Sequence, residues 1–320
     1  MLYGTVVMRA INYFTVWELL DHKTTLVSET WQKLRTLTTL DVPLAVDAFV
    51  FASPKGVDSA QFHRVQGQVE KSFQNLHPDD AVLERGAHDY PHQLALTDDA
   101  PEYLFVRGNV ALLHEPAIAV VGTRNPTDDG RRRARKLGYL LADRGIIVSS
   151  GLALGIDAAA HTGALRVGGN TFAVIGTPLH KVYPREHNEL QELIARVGAV
   201  VTQFYPGAAV TKFNVPMRNA VMSGLSLGTV VVEAGETSGA LIQARKCLQQ
   251  GRKLFIPQSA VDNPAITWPK TFLNRGAVRF STIEEVMEAI EEFLPRGNSS
   301  NTPFQGDIEV CSLKLTTLPR

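Results

Sequence analysis

The chain has 320 residues, enough for roughly two domains by length alone, and its 44% hydrophobic content can fill a sizeable core. Basic and acidic side chains balance at 32 each, so overall charge draws it to no polyanion, and any grip on nucleic acid must come from a local basic site. The two cysteines, Cys247 and Cys311, are far apart and in no metal-ligand spacing; no metal or cofactor is expected, and the usage fits a reducing compartment. Without a leader pattern or an apolar run of bilayer length, a soluble, cytoplasmic protein is expected.

Residues 1–80 read as a small, mostly helical accessory domain. The spacing of Trp17, Leu19, Leu20, Leu26, Trp31 and Leu34 allows a helix over 15–38. An alternating stretch follows around Val46–Phe51, then a turn at Ser53-Pro54-Lys55-Gly56. From about 82 the pattern sharpens. Short, continuous apolar runs at 103–107, 117–122, 146–150, 171–176, 199–204, 229–234 and 253–257 predict strands buried on both faces. Helical windows alternate with them at 127–144, 155–167, 186–197, 216–225, 238–250 and 281–294. Such alternation means βαβ units, an α/β fold with a doubly wound, mostly parallel sheet spanning 81–294. The polar tail 295–320 reads as flexible.

Three strand–glycine–helix junctions carry the chemistry. The first ends in Gly122-Thr123-Arg124, the second in Ser150-Gly151 before Gly155-Ile156-Asp157, the third in Glu233-Ala234-Gly235 before Ser238-Gly239. A strand that stops at glycine and enters a helix points backbone N–H groups at a ready anion site. Arg124, at a strand's carboxyl end, reaches that crevice. Six basic residues stand against two acidic ones over 122–136, but the run 131–136 reads as a solvated helix face. Lys212-Phe213 and Arg218-Asn219 follow the strand at 199–204. Cations beside an aromatic ring suit single-stranded nucleic acid, tracking phosphates while a base stacks.

Asp157 and His161 lie four apart and are expected to face each other as a structural hydrogen-bonded pair. Glu233 either accepts from a base or ribose or pairs with Arg124 or Arg218, and both readings stay open. Ser238 suits an N-cap. Neither Gly-x-x-x-x-Gly-Lys-Ser/Thr nor Gly-x-Gly-x-x-Gly after the first strand occurs, which speaks against a P-loop or NAD.

In this order, these motifs resemble the DprA/Smf DNA-processing family. The likeness runs through Tyr90-Pro91, Gly122-Thr123-Arg124, Ser150-Gly151, Ala160-His161, Tyr183-Pro184, Arg218-Asn219 and Ser238-Gly239-Ala240-Leu241, covering about 82–280. It implies an extended Rossmann-like fold and a non-enzymatic, homodimeric protein that binds single-stranded DNA and hands it to RecA in natural transformation. By motif position Arg124, Lys212 and Arg218 would hold DNA, while Gly122, Ser150, Gly151, Ser238 and Gly239 would add backbone or hydroxyl contacts. Three departures stand out: Ala220 where the family has a second arginine, Val215 where it has an aromatic, and Gln258 after Ile256-Pro257. A different class within the same fold superfamily, a nucleotide sensor or nucleotide N-glycosidic hydrolase, would use Glu233 and Asp157 as acid–base groups.

Overall fold

The computed structural model describes residues 4–294; the tail 295–320, expected to be flexible, lies outside them. Four helices come first: α1 (Thr5–Leu19), α2 (Thr24–Leu37), α3 (Val46–Ala52) and α4 (Ser59–Ser72). The single helix expected over 15–38 is therefore two. The chain breaks at Asp21 and His22, both with left-handed φ (52° and 62°), a conformation that ends a helix. The stretch at Val46–Phe51 is helical too: Phe49 and Ala52 point inward while Phe51 is exposed.

The strands β1 (Ala81–Glu84), β2 (Tyr103–Gly108), β3 (Ala117–Val121), β4 (Ile147–Ser150), β5 (Thr171–Val174), β6 (Ala199–Thr202), β7 (Gly228–Val231), β8 (Lys253–Pro257) and β9 (Val278–Phe280) form one sheet. Their order is β1-β2-β6-β5-β4-β3-β7-β8-β9. Pairings β1–β2 and β2–β6 are antiparallel, and all others are parallel. Strands β3 to β7 are buried on both faces, as the continuous apolar runs require. The connecting helices are α5 (His92–Ala95), α6 (Asp128–Asp143), α7 (Ile156–Leu165), α8 (Asn188–Val197), α9 (Asn214–Gly224), α10 (Ala240–Gln249), α11 (Gln258–Val261), α12 (Trp268–Leu273) and α13 (Ile283–Ile290).

From β3 the chain winds outward through β4, β5 and β6, then returns to place β7 on the other side of β3. This reversal makes the carboxyl ends of β3 and β7 the topological switch point, where open α/β sheets bind ligands.

The N-terminal helices share a core with the sheet. Phe14, Trp31 and Phe49 belong to one buried cluster with Tyr103, Phe105, Ala173 and Val200. Phe14 stacks on Tyr205 at 4.5 Å between ring centroids. Arg9 reaches Glu84 at 2.7 Å, Arg35 pairs with both Glu84 and Glu102, and Tyr205 Oη donates to Glu18 at 2.6 Å. Among the described residues no helix is long and apolar enough to cross a membrane.

Candidate nucleic-acid interface

A cleft of about 480 Å³ opens at the switch point. Gly122, Thr123 and Arg124 from the β3 end form one wall, and Gly235 with Thr237–Ala240 from the β7 end form the other. Arg218, Asn219 and Met222 of α9 close it from the side.

The first wall is held by backbone. Thr123 N–H donates to Glu233 O at 2.8 Å, and Ile156 N–H donates to Thr123 O at 3.3 Å. These bonds lash the β3 loop to the β7 loop and to the start of α7. Gly155, at φ +81°, is needed for this approach, because a Cβ there would lie 2.5 Å from Thr123 O and 2.6 Å from Arg124 O. Arg124 is left exposed on the cleft side.

Arg218 carries the electrostatics. It is 7% exposed, its Nε is buried with no hydrogen-bond partner, and its Nη1 lies 3.9 Å from Met222 Sδ. Burial pulls its pKa below the ordinary guanidinium value, and Asp157 opposes that pull while Arg124 adds to it. The Asp157 carboxyl is raised by burial, against Arg218 and the amides of Ala153 and Gly151. A buried cation lacking a close carboxylate is costly in isolation, and an anion entering the cleft would relieve that cost.

Several expected site residues are engaged elsewhere. Asp157 Oδ2 accepts from Gly151 N–H (3.1 Å) and Ala153 N–H (3.4 Å), curling the loop whose Leu152 has φ 57°. His161 does not pair with Asp157: its Nδ1 meets Thr171 Oγ1 at 2.7 Å. Their four-residue spacing shares a helix face, but the strand packed beneath supplies the partner. Glu233 pairs with neither Arg124 nor Arg218. Its two carboxylate oxygens accept from Thr127 N–H (2.8 Å) and Thr127 Oγ1 (2.6 Å), with Arg133 at 3.3 Å, which caps α6. Both groups that would serve as acid and base in hydrolysis are thus tied to backbone or helix termini.

Ser150 is buried and its hydroxyl donates to Val120 O at 2.6 Å, so it faces the sheet and not the cleft. Ser238 Oγ accepts from Ala240 N–H at 3.3 Å, at the start of α10, and Ser238 and Gly239 line the cleft. Lys212 and Phe213 lie outside the cleft lining, just before α9. Both are exposed, with Lys212 Nζ 5.3 Å from the Phe213 ring centroid. Sequence reasoning missed Gln243, buried at the cleft floor with Nε2 donating to Thr229 Oγ1 at 3.3 Å; its only trace was its helical position after the third glycine junction. The Ala220 departure is buried.

Sheet order and a switch-point cleft lined by Arg124 and Arg218 define a Rossmann-like α/β protein. Residues 81–291 match the family described as DNA recombination-mediator protein A, and the chain belongs to that DprA/Smf DNA-processing family. Protein Smf of Escherichia coli is 38% identical over 237 residues, 72% of this chain and 63% of its own, so the match spans under two thirds of that relative. DNA processing protein DprA of Streptococcus pneumoniae is 40% identical over 195 residues, 61% of this chain and 67% of its own. The crystal structure of that DprA superposes with a TM-score of 0.70 at 29% identity, covering 87% of this chain and 97% of the other. DprA of Helicobacter pylori, a structure described for its single-stranded DNA binding mode, gives 0.60 at 25% identity over 68% of this chain and 99% of the other.

Proposed function

We propose that this protein binds single-stranded DNA through the switch-point cleft without altering it covalently, and serves DNA processing and recombination in that way. The observation that carries the reading is the Arg124–Arg218 pair. One guanidinium is exposed and the other buried without an ion pair, and both line one glycine-walled cleft. Phosphate supplies the missing anion through charge-assisted hydrogen bonds, and with no net charge on the chain the attraction has to come from local cationic groups such as these. The single-stranded DNA binding of the Helicobacter pylori relative is the chemistry this cleft suits. Transfer of the bound strand to RecA in natural transformation, and pairing of two copies of the chain, belong to the same reading through the family.

Fluorescence-anisotropy titration of single- and double-stranded oligonucleotides across salt concentrations tests it. Single strands bind more tightly, and log affinity falls with log salt by about 0.7 per phosphate contacted. Arg124→Ala weakens binding by roughly 1–3 kcal/mol, the range for a lost charge-assisted bond. Affinity unchanged in Arg124→Ala would remove the cleft as the binding site.

A further inference from the structure

Beyond the cleft, the carboxyl edge of the sheet carries an aromatic that the site does not use. Tyr183 is 62% exposed, a large ring left in water on the connection between β5 and α8. It stands between Lys181 and Arg185, both exposed.

This connection is fastened beside the start of α9. Asn214 Nδ2 donates to Gly176 O at 2.9 Å, and Lys181 Nζ lies 3.5 Å from Ala208 O. Thr177 Oγ1 donates to Lys181 O at 3.0 Å, which sets the turn that presents Tyr183. On the other side, His187 Nδ1 meets Leu152 O at 2.8 Å, binding the connection to the loop that cradles Asp157. Next to Asn214 in the chain stands Phe213, 64% exposed under the Lys212 ammonium, and five residues further along α9 is Arg218. The segment 203–213 contains no acidic residue, and 176–187 contains one, Glu186.

A single exposed ring is ordinary on a protein surface, but one set between two cations offers a stacking face with phosphate partners beside it. Rings flanked by cations match one ligand chemistry: a flexible polyanion whose planar bases stack while its phosphates meet ammonium and guanidinium groups. Resting on the single-strand reading above, we infer that the binding track does not end in the cleft. It continues past Phe213 across the ends of β6 and β5 to Tyr183, where a further base stacks and Lys181 and Arg185 hold the adjoining phosphates.

The test is a length series of oligo-dT titrated by anisotropy against wild type, Tyr183→Ala, Tyr183→Phe and Arg124→Ala. Tyr183→Ala matches wild type on the shortest oligonucleotide that binds. On longer ones it loses roughly five-fold or more in affinity, the scale of one lost base–aromatic stack. Tyr183→Phe stays near wild type, because the ring and not the hydroxyl makes the contact. Because the side chain is exposed, melting temperatures of the variants should agree with wild type, which separates binding from folding. The extended track is overturned if Tyr183→Ala follows wild type at every length, or if it loses equally at every length. It is also overturned if the phenylalanine variant fails as badly as alanine. Arg124→Ala loses affinity at all lengths, so the cleft and the track fail separately.

Discussion

The guanidinium of Arg218 occupies the space a side chain at Gly151 would need: a Cβ built there would lie 1.3 Å from Nη1 and 2.3 Å from Cζ. The glycine after β4 and the arginine of α9 are one device, with bare backbone serving as the floor on which the cation rests. Gly151→Ala therefore evicts the guanidinium. Since the displaced atoms are the end of a flexible side chain, the stability cost stays modest, about 1–2 kcal/mol, the ordinary scale of a tight substitution. Oligonucleotide affinity falls much further, toward that of Arg218→Ala. Urea denaturation and anisotropy on the same preparation check the two effects, and an alanine variant with wild-type affinity contradicts the arrangement.

Stability below neutral pH depends on His161. Burial holds its pKa down at about 3, against an ordinary 6.5, with His187 and Arg218 adding to the effect. Thr171 Oγ1 donates to Val148 O at 2.5 Å, so it accepts from His161 Nδ1–H, and Nε2 is buried with no partner. The imidazole is neutral in the folded protein. Below pH 6.5 the unfolded chain takes up a proton that the folded one refuses. The stability due to this group is complete above that pH and is lost progressively toward pH 3, by up to about 1.4 kcal/mol per pH unit. Urea midpoints for wild type and His161→Leu at pH 7, 6, 5 and 4 isolate the contribution, because Asp157 titrates in both. The variant's profile should be the flatter one; parallel profiles would contradict the assignment.

Residues 4–80 share a buried cluster with the sheet, and they are expected to fold with it as one unit. Without them Phe105, Ala173 and Val200 lose the cover provided by Phe14, Trp31 and Phe49, while Glu84 and Glu102 lose Arg9 and Arg35. A chain of residues 81–294 alone is expected to aggregate or to bind a hydrophobic dye. A soluble fragment with a single cooperative melt would show that the face needs no cover.

Much of the sheet was legible because β3 to β7 are runs such as Ala117–Val121, apolar without interruption, which only a doubly covered strand tolerates. The helices between them declared themselves by period, as α6 did with Ala134, Leu137 and Leu141 inward. The N-terminal region was harder to read. Its break at Asp21–His22 has no glycine or proline to announce it, α4 went unseen, and the alternation at Val46–Phe51 imitates a strand. Short edge elements such as β1 and β9 borrow their order from neighbours. At the site, Arg124 and Arg218 could be placed because both follow strand ends. The partners of Glu233 and His161 could not, since Thr127 and Thr171 are set by packing across segments; those of Asp157, Gly151 and Ala153, are local backbone amides whose loop conformation the spacing does not reveal.

The β3 loop and the β7 loop meet through Thr123 N–H and Glu233 O, more than a hundred positions apart along the chain. The two walls of the crevice are thus joined directly to each other. During synthesis Arg124 emerges more than a hundred residues before Glu233, so on the proposed reading the cleft could take a strand only after β7 joins the sheet. On that reading, competence to bind would be acquired only as the sheet closes.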